Sequence, residues 1–452
     1  MSTISKLIYT PLLLLFWSCS LLEIEPDHVV SSDKAFSDVD SYQMALDNVY
    51  RNLVSSTMTM QGTDYASDDF INVIPGYSST NYSIYYWDYT TQPESPIWTY
   101  QYSLISNQNV LIDNYDLVPT LSTQEERLKD QIYAQALAMR AWCFFNIAQL
   151  YAPRYDGTNG DELGIPLKLK LELEFLPRSP LSEVYDQIFG DLDLAEELLE
   201  ESGYSPNSTQ KPYEFGTAAI NALRARVALF IGDTDVAKEA SANFIDIELL
   251  PKESYDMLWN DSLGDALAEV VFMSHDLSDT TDGELVDYYE VFNGNNAVLS
   301  TELRASFSSD DVRKNIEYIT SSFIPSKYLV EATGSTDATR ELHYKHFRVA
   351  EQYLIYAESV VESDPEEAMD VINKLRTYRG AELLTQAPDK MTILEERRRE
   401  LFSEGLRFYD LKRLAQELSI TVERANGTTL SPTSPLYTWA IPISETNSNP
   451  NI

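Results

Sequence analysis

Basic residues are scarce in this sequence. Lysine and arginine together number 33, against 71 aspartates and glutamates, so the formal net charge is −38. Nucleic acids and anionic lipid surfaces attract proteins through clustered positive charge, which this balance does not provide. The composition therefore argues against a nucleic-acid partner and favours an uncharged ligand over a polyanion.

Cysteine is rarer still, because only Cys19 and Cys143 occur. Two cysteines cannot form the multiple-disulfide framework of small secreted domains. Cys143 lies in the stretch MRAWCFFNIAQL, where nearly every neighbour is apolar. We therefore predict that Cys143 is a buried, unreactive thiol.

The amino terminus has an apolar run, Leu12 to Trp17, that is far shorter than the ~20 residues a membrane-spanning helix needs. A lone lysine precedes the run and Cys19 follows it closely, an order typical of a secretory signal peptide that ends in a lipobox. We predict that residues 1–18 are a lipoprotein signal peptide, and that residues 19–36 are a tether with the Cys19 thiol acylated. An ordinary signal peptide with an incidental cysteine is the alternative.

No glycine-, serine- or proline-rich linker divides the rest of the chain, so we interpret residues 37–452 as a single domain. Its dominant period is helical, as in SYQMALDNVYRNL, where apolar residues follow the i, i+3, i+4, i+7 rule. The stretch from Ile132 to Tyr151 is apolar nearly all round, which predicts a helix buried on several sides. The sequence therefore predicts an all-α fold.

Two segments of similar length, 215–247 and 347–378, have the pattern of helical hairpins. Gly232 marks the end of one helix, and Asp364 followed by Pro365 marks the start of another. Both segments are similar to tetratricopeptide units, which act as scaffolds.

Three stretches between the helical segments are long and have no clear helical pattern: 58–96, 152–180 and 276–339. They are rich in Tyr, Asn, Asp and Ser. Because connections of this length are uncommon in compact domains unless they are functional or disordered, we expect them to be ordered binding loops.

The scarce basic residues gather in one stretch, LEERRRELFSEGLRFYDLKRL, where six lie from Arg397 to Arg413. On a helix, Arg397 and Arg398 share the apolar face with Ile393 and Leu401. A phosphate site would keep its positive charge uncompensated, whereas acids here nearly cancel the bases, so we favour a buried ion network over a phosphate site. The predicted members of that network are Arg397, Arg398, Glu351, Glu358, Glu400, Glu404 and Asp410.

This stretch resembles the carboxy-terminal signature of the SusD/RagB family, the surface lipoproteins of Bacteroidetes-type nutrient importers. The match runs from Glu396 to Arg413, with Lys412 where the family often has arginine. Further segments are similar to family segments in the same order, namely WTYQYSLISNQNVL, AQALAMRAWCFFNIAQLYAPRY, RVAEQYLIYAES and IPISETNSNPNI.

The resemblance implies an α-helical fold in which tetratricopeptide-like hairpins support a large irregular, loop-rich, ligand-binding half. It implies a lipoprotein held on the outer-membrane surface by Cys19, which captures oligosaccharides and delivers them to a SusC-like TonB-dependent transporter. It also implies binding without catalysis. Some family members serve peptide importers, so a peptide ligand stays open as the alternative.

Aromatic side chains exposed in loops are the candidates for ligand contact, because sugar rings stack on flat aromatic faces and sugar hydroxyls bind amides and carboxylates. The first group of candidates is Asn81, Tyr82, Tyr85, Tyr86, Trp87, Asp88 and Tyr89, and the second is Tyr288, Tyr289, Asn293 and Asn295. Core packing is the alternative for any ring of the first group. Trp98 and Tyr102 fit a helical spacing and are expected in the core.

Sequence motifs for catalysis are missing, since no nucleophile elbow, zinc-protease motif or phosphate loop occurs. A glycoside hydrolase needs two carboxylates roughly 5 to 9.5 Å apart, and 71 acids keep that alternative open. Segment 276–287, DLSDTTDGELVD, has acids beside a glycine but not in EF-hand order, so a structural calcium is an unsupported option. We expect neither a metal nor a cofactor.

Overall fold

Helices form the framework of the protein. The computed structural model describes residues 35–53, 57–71, 79–89, 95–204, 212–259, 268–275, 298–314, 318–319, 322–323, 327 and 343–452. Within these ranges long helices alternate with short strand pairs and irregular segments. The prediction of a mainly α-helical fold is therefore confirmed.

The amino-terminal part contains helices α1 (Val39–Arg51), α2 (Thr57–Ala66), α3 (Ser79–Tyr85), α4 (Pro96–Asn114) and α5 (Thr123–Tyr151). The helices α1, α4 and α5 begin after Asp38, Ser95 and Ser122, whose side-chain oxygens accept a backbone N–H of the first turn. From Ile132 onward α5 is almost entirely buried. Its all-round apolar sequence predicts this position at the centre of the fold.

The first predicted hairpin follows α5 and α6. The helix α6 (Leu181–Glu201) packs along α5, and a buried ion pair between Arg140 Nη2 and Asp191 Oδ1, 2.7 Å long, joins them. The helices α7 (Thr217–Ile231) and α8 (Thr234–Ala242) form the hairpin itself. Between them Gly232 has a left-handed φ of 88°, which a residue without a Cβ adopts at low cost.

The second predicted hairpin lies in the carboxy-terminal part. After the short helix α9 (Thr301–Ala305), α10 (Val349–Val360) and α11 (Pro365–Arg379) form the hairpin, and α10 also packs against α8. The side chain of Asp364 accepts the Glu367 N–H at 3.0 Å and so caps α11 as predicted. The chain continues through α12 (Lys390–Leu401), α13 (Arg407–Leu418) and α14 (Ile443–Ser448).

Short antiparallel strand pairs fasten the irregular segments. They are β1 (Phe70–Ile71) with β3 (Val298–Leu299), β2 (Val270–His275) with β6 (His343–Arg348), β4 (Tyr318–Ile319) with β5 (Ser322–Phe323), and β7 (Val422–Glu423) with β8 (Thr429–Leu430). Single 3₁₀ turns occupy Tyr115–Leu117, Val312–Lys314 and Pro435–Tyr437, and a longer 3₁₀ helix occupies Lys252–Leu258.

The prediction that 58–96 is irregular is wrong in part, because nearly all of α2 and the whole of α3 lie within it. The buried residues of α2 include Thr63 and Asp64, which are polar, so no apolar stripe is visible in its sequence. In contrast, 152–180 contains neither helix nor strand, apart from one bridge between Leu163 and Pro180.

One apolar core extends along the chain from Phe36 to Trp439. At its centre, the Trp142 ring on α5 lies 6.0 Å, between ring centroids, from each of Phe215, Phe272 and Phe347. These partners lie in the segment before α7 and in the paired strands β2 and β6. The buried helix therefore packs against both the first hairpin and the sheet.

The loop between α12 and α13 forms a close joint with α2. The Gly405 N–H donates to Asp64 Oδ1 at 3.0 Å, and Thr63 Oγ1 donates to the Gly405 carbonyl at 2.8 Å. Gly405 has a φ of +75°, and a Cβ placed there would lie 2.8 Å from Met60 Cα. The joint therefore requires glycine both for its backbone conformation and for its close approach.

We expect Gly405→Ala to destabilise the protein by about 2–5 kcal/mol, since left-handed strain of about 1–2 kcal/mol adds to overpacking of about 1–3 kcal/mol. Gly427→Ala is the matched control, because Gly427 has a φ of +84° and a Cβ added there would have no neighbouring atom within 4 Å. The stability that Gly427→Ala loses should reflect the backbone strain alone. Urea unfolding of residues 20–452 measures both, and equal losses would show that the contact with α2 is unimportant.

Candidate functional site

The end of α3 carries the first group of candidate residues. Tyr82 and Tyr86 are partly exposed and Asp88 is exposed. The Tyr82 and Tyr86 rings meet edge to face with centroids 4.7 Å apart, and burial, followed by the neighbouring Tyr82, raises the pKa of Tyr86. We call Tyr82, Tyr86 and Asp88 the aromatic surface. It offers two partly exposed phenol rings, with an exposed aspartate two residues after the second.

The other rings of this group face the interior, which corrects the expectation that they are exposed. Tyr85, Trp87 and Tyr89 are buried, and Tyr89 stacks on Trp439 with centroids 5.0 Å apart. The reason is that the segment is the end of a helix packed on the core rather than an open loop, so only one side of it faces solvent. Of these three, Tyr85 contacts the aromatic surface directly, through the ring of Tyr86.

Trp87 ends α3 in a conformation that is usually taken by glycine. Its φ is +57°, its N–H donates to the Ile84 carbonyl at 3.0 Å, and the Asp88 N–H donates to the Ser83 carbonyl at 2.8 Å. This is the Schellman arrangement of a helix carboxy terminus. The buried indole N–H donates to the Ala66 carbonyl at 2.8 Å, and this bond helps to hold the strained residue in place.

Arg424 holds the residues that end α3 against the end of α2. Its guanidinium carbon lies 3.9 Å from the Tyr85 ring centre and 4.3 Å from that of Trp87. Its Nε and Nη2 donate to the Tyr85 and Tyr65 carbonyls at 2.9 Å each, which cap the ends of α3 and α2. Burial lowers the pKa of Arg424 to about 10, so the side chain stays charged. Nothing in its local sequence, VERANGTTL, indicates this role.

The structure describes no side chain for the remaining candidates of both groups. Asn81 lies in α3, but its side chain is outside the described atoms. Tyr288, Tyr289, Asn293, Asn295, Cys19 and segment 276–287 lie outside the described residues. Trp98 is buried and its ring packs against the partly buried Tyr102, with centroids 4.9 Å apart.

Two arginines of the signature stretch bind the two acids that follow α2. Arg398 Nε lies 2.8 Å from Asp69 Oδ1, and its Nη1 lies 3.5 Å from Asp68 Oδ2. Arg407 Nε lies 2.8 Å from Asp68 Oδ1. Arg398 Nη2 also donates to the Ser300 hydroxyl at 3.1 Å, beside β3. The signature helices thus hold the segment that supports the aromatic surface.

Glu400 is the centre of the buried charges. Its carboxylate accepts from Arg379 at 2.9 Å, from Arg348 at 3.1 Å and from Arg313 at 3.2 Å. Burial opposes its ionisation, but these three arginines, Arg379 first, outweigh burial and lower the pKa of Glu400 well below its usual range. Glu404 next to it binds Arg348 at 2.7 Å and Lys327 at 2.6 Å.

Further buried ion pairs lie along α10 and α13. Arg397 lies 3.1 Å from Asp410, and Arg413 lies 2.8 Å from Asp410 and also binds Glu358. On α10, Glu351 binds Arg226 at 2.6 Å. All seven residues of the predicted network are therefore in ion pairs. We call these residues and their partners the arginine network.

Several partners were missed from the sequence: Asp68, Asp69, Arg226, Glu269, Arg313, Lys327, Arg348 and Arg379. They lie outside the signature stretch, most of them far from it in sequence, so no local pattern relates them to it. The one available signal was that buried arginines need acids or other acceptors, which indicates that partners exist but does not identify them.

Other chemistry is limited among the described residues. Cys143 is buried, and burial raises the pKa of its thiol to about 12, which agrees with the predicted inert thiol. No helix in the described ranges is long and apolar enough to cross a membrane. Those ranges also hold no group of three or more His, Cys, Asp or Glu side chains arranged for a metal ion.

Comparison with known families identifies the chain. Residues 21–229 match a family described as starch-binding and associating with the outer membrane, and residues 281–452 match the SusD family. The chain belongs to the SusD/RagB family. This is a carbohydrate-binding family whose members are associated with the outer membrane.

Relatives and solved structures agree with this membership. The chain is 22% identical over 477 residues to SusD-like protein P38 of Formosa agariphila, covering 89% of each chain. A putative sugar-binding protein from Bacteroides vulgatus has a TM-score of 0.78 at 22% identity, covering 92% of this chain and 98% of that one. A laminarin-binding SusD-like protein has a TM-score of 0.68 at 20% identity, with coverage of 92% and 98%.

We expect Arg398→Ala to destabilise the protein by about 3–5 kcal/mol, because it leaves the buried Asp69 carboxylate without its cation. Arg127→Ala, which removes an exposed arginine on α5, is the control and should change stability by less than about 0.5 kcal/mol. Urea unfolding measures both. A variant of normal stability that has lost ligand binding would show that Arg398 contacts the ligand instead.

Acid should weaken the arginine network. Burial disfavours the charged form of Glu396, but Arg313, then Arg399 and Arg376, outweigh burial and lower the pKa of Glu396 to about 2. Because the folded pKa lies below the unfolded value, the stabilisation is complete above about pH 5 and is lost as the pH falls towards 2. For Glu396 alone it amounts to roughly 3 kcal/mol.

Glu396→Gln tests this pH dependence. The variant should be less stable at pH 7 and should lose less further stability between pH 5 and pH 3 than the parent protein. Ile393→Val, a buried change on the same helix that costs about 0.5–1.5 kcal/mol, should shift the whole profile in parallel. Melting temperature against pH measures all three proteins, and parallel profiles for Glu396→Gln would contradict the assignment.

Proposed function

We propose that this protein is a cell-surface lipoprotein, anchored through Cys19, that captures oligosaccharides and delivers them to a partner SusC-like TonB-dependent outer-membrane transporter. Membership of the SusD/RagB family supports the proposal, as do relatives described as sugar-binding and laminarin-binding. The protein binds the glycan without cleaving it.

The observation that carries the glycan proposal is the paired exposure of Tyr82 and Tyr86. Two tyrosine rings with centroids 4.7 Å apart at a helix end offer apolar faces for the C–H groups of a sugar. The exposed Asp88 carboxylate beside them can accept hydrogen bonds from sugar hydroxyls.

The support below these rings favours binding as well. The Tyr86 ring packs edge to face on Tyr85 with centroids 4.9 Å apart, and Arg424 covers the Tyr85 ring from the buried side. A ligand that binds a surface already held in place orders fewer side chains and loses less entropy. The net charge of −38 also makes a neutral glycan a better ligand than an anionic one.

Affinity electrophoresis of residues 20–452 in gels containing laminarin, starch or other neutral polysaccharides tests the proposal. We expect one of these glycans to slow the protein. Tyr86→Ala should weaken that binding roughly tenfold, equivalent to about 1.4 kcal/mol, because a stacking face is lost. Tyr378→Ala is the matched control, since it removes a partly buried tyrosine from α11, away from the aromatic surface.

Three outcomes would contradict the proposal. Equal effects of Tyr86→Ala and Tyr378→Ala would show that glycan binding does not depend on the aromatic surface. Retardation by none of the polysaccharides would favour a peptide ligand, which a peptide-library screen would then detect. Release of reducing ends from the retained glycan would indicate a glycoside hydrolase.

A further inference from the structure

A second concave site lies on a different part of the molecule. A cavity of about 390 Å³ opens between α1, the first half of α5, residues 213–214 and the end of β2. Its lining includes Asp47, Arg51, Gln131, Gln135, Tyr213 and Glu214. None of these residues belongs to the aromatic surface or the arginine network.

Hydrogen bonds fix several of the polar groups that face this cavity. Tyr50 accepts the Phe215 N–H at 2.7 Å and donates to Gln135 Oε1, so the amide of Gln135 is oriented. Glu214 accepts from the Tyr204 hydroxyl at 2.8 Å. Polar groups held in this way need little reordering when a ligand binds.

The second carboxylate of the lining is that of Asp47, and one of its two oxygens accepts a hydrogen bond. Asp47 Oδ1 accepts from the Gln43 amide at 2.8 Å, and the two residues lie one turn apart on α1. The Asp47 side chain is exposed, so its other oxygen can meet a ligand from solvent.

The mixture of groups selects an uncharged, polyhydroxylated ligand. Carboxylates accept hydrogen bonds, the Arg51 guanidinium donates them, and the glutamine amides do both. A sugar hydroxyl both donates and accepts, so it can satisfy every one of these groups. A cation would face Arg51 and an anion would face Asp47 and Glu214, whereas a neutral polyol meets neither repulsion.

Apolar contacts complete the lining. Leu128 and Met273 contribute apolar surface, and Tyr213, which is 40% exposed, also lines the cavity with its ring 5.7 Å from that of His343. A few oriented polar groups on an apolar wall are typical of small-molecule sites, whose volumes are about 300–1,000 Å³. At the small end of that range the ligand has one or two sugar rings.

We propose that this cavity is a second saccharide-binding site, which takes a neutral mono- or disaccharide separately from the aromatic surface. The choice of saccharide as the ligand class rests on the proposed function, and the site itself rests on the cavity. Such a site would let the protein hold a short glycan, or the end of a long one, at a second point.

Isothermal titration calorimetry and saturation-transfer NMR with maltose, cellobiose and laminaribiose test the site on residues 20–452. At least one disaccharide should bind the parent protein. Gln131→Trp, which fills the cavity, should weaken that binding at least tenfold. Gln124→Trp makes the same change on the exposed part of α5 outside the lining and should leave binding unchanged.

A second pair of variants covers the case in which the bulky Gln131→Trp variant fails to fold. Asp47→Ala should weaken disaccharide binding severalfold, whereas Asp40→Ala, an exposed aspartate earlier on the same helix, should not. Melting temperatures establish that each variant is folded before its binding is compared.

Tyr86→Ala separates this proposal from the proposed function. Disaccharide binding that survives Tyr86→Ala but not Gln131→Trp supports the cavity, even where no polysaccharide slows the protein in a gel. Loss of disaccharide binding with Tyr86→Ala alone would assign it to the aromatic surface and overturn the second site. Absence of binding by all three disaccharides would overturn it as well.

Discussion

The ionised carboxylate of Glu400, surrounded by Arg313, Arg348 and Arg379, is the interaction on which the rest of the structure depends. A buried carboxylate needs a base and a buried guanidinium needs acids or other hydrogen-bond acceptors, because an unpaired charge in the interior costs several kcal/mol. The three arginines come from the turn after α9, the end of β6 and the end of α11. One carboxylate on α12 therefore joins three segments that are distant in sequence.

Ion pairs also connect the carboxy-terminal helices to the segments that support the aromatic surface. Arg398 and Arg407 bind Asp69 and Asp68, directly after α2. The last residues of α2, in turn, present the carbonyls that accept from Arg424 and from the Trp87 indole. Fixing the end of α2 thus fixes the end of α3, where Tyr82 and Tyr86 lie. Long charged side chains here join irregular segments that are distant in sequence, as the strands of a regular sheet are joined in other folds.

The sequence predicts those parts of the fold whose causes are local. The buried helix α5 and the hairpin at Asp364 follow from apolar pattern and capping chemistry, both of which lie within a few residues. The helix α2 and the burial of Trp87 could not be predicted in the same way. A ring in a mixed segment can face either way until its partner is known, and the partners of Trp87 and Arg398 lie 21 and 329 residues away.

A buried network of this kind determines geometry more than it adds stability. Desolvation offsets much of the attraction between paired charges, so apolar side chains of equal volume could give a protein that is as stable. Apolar packing is not directional, however, and would tolerate small shifts of the loops around α2 and α3. Ion pairs at 2.7–3.2 Å with oriented guanidinium groups do not tolerate such shifts. For the glycan contact that we propose at Tyr82 and Tyr86, holding the two rings at a fixed spacing matters more than a larger free energy of unfolding.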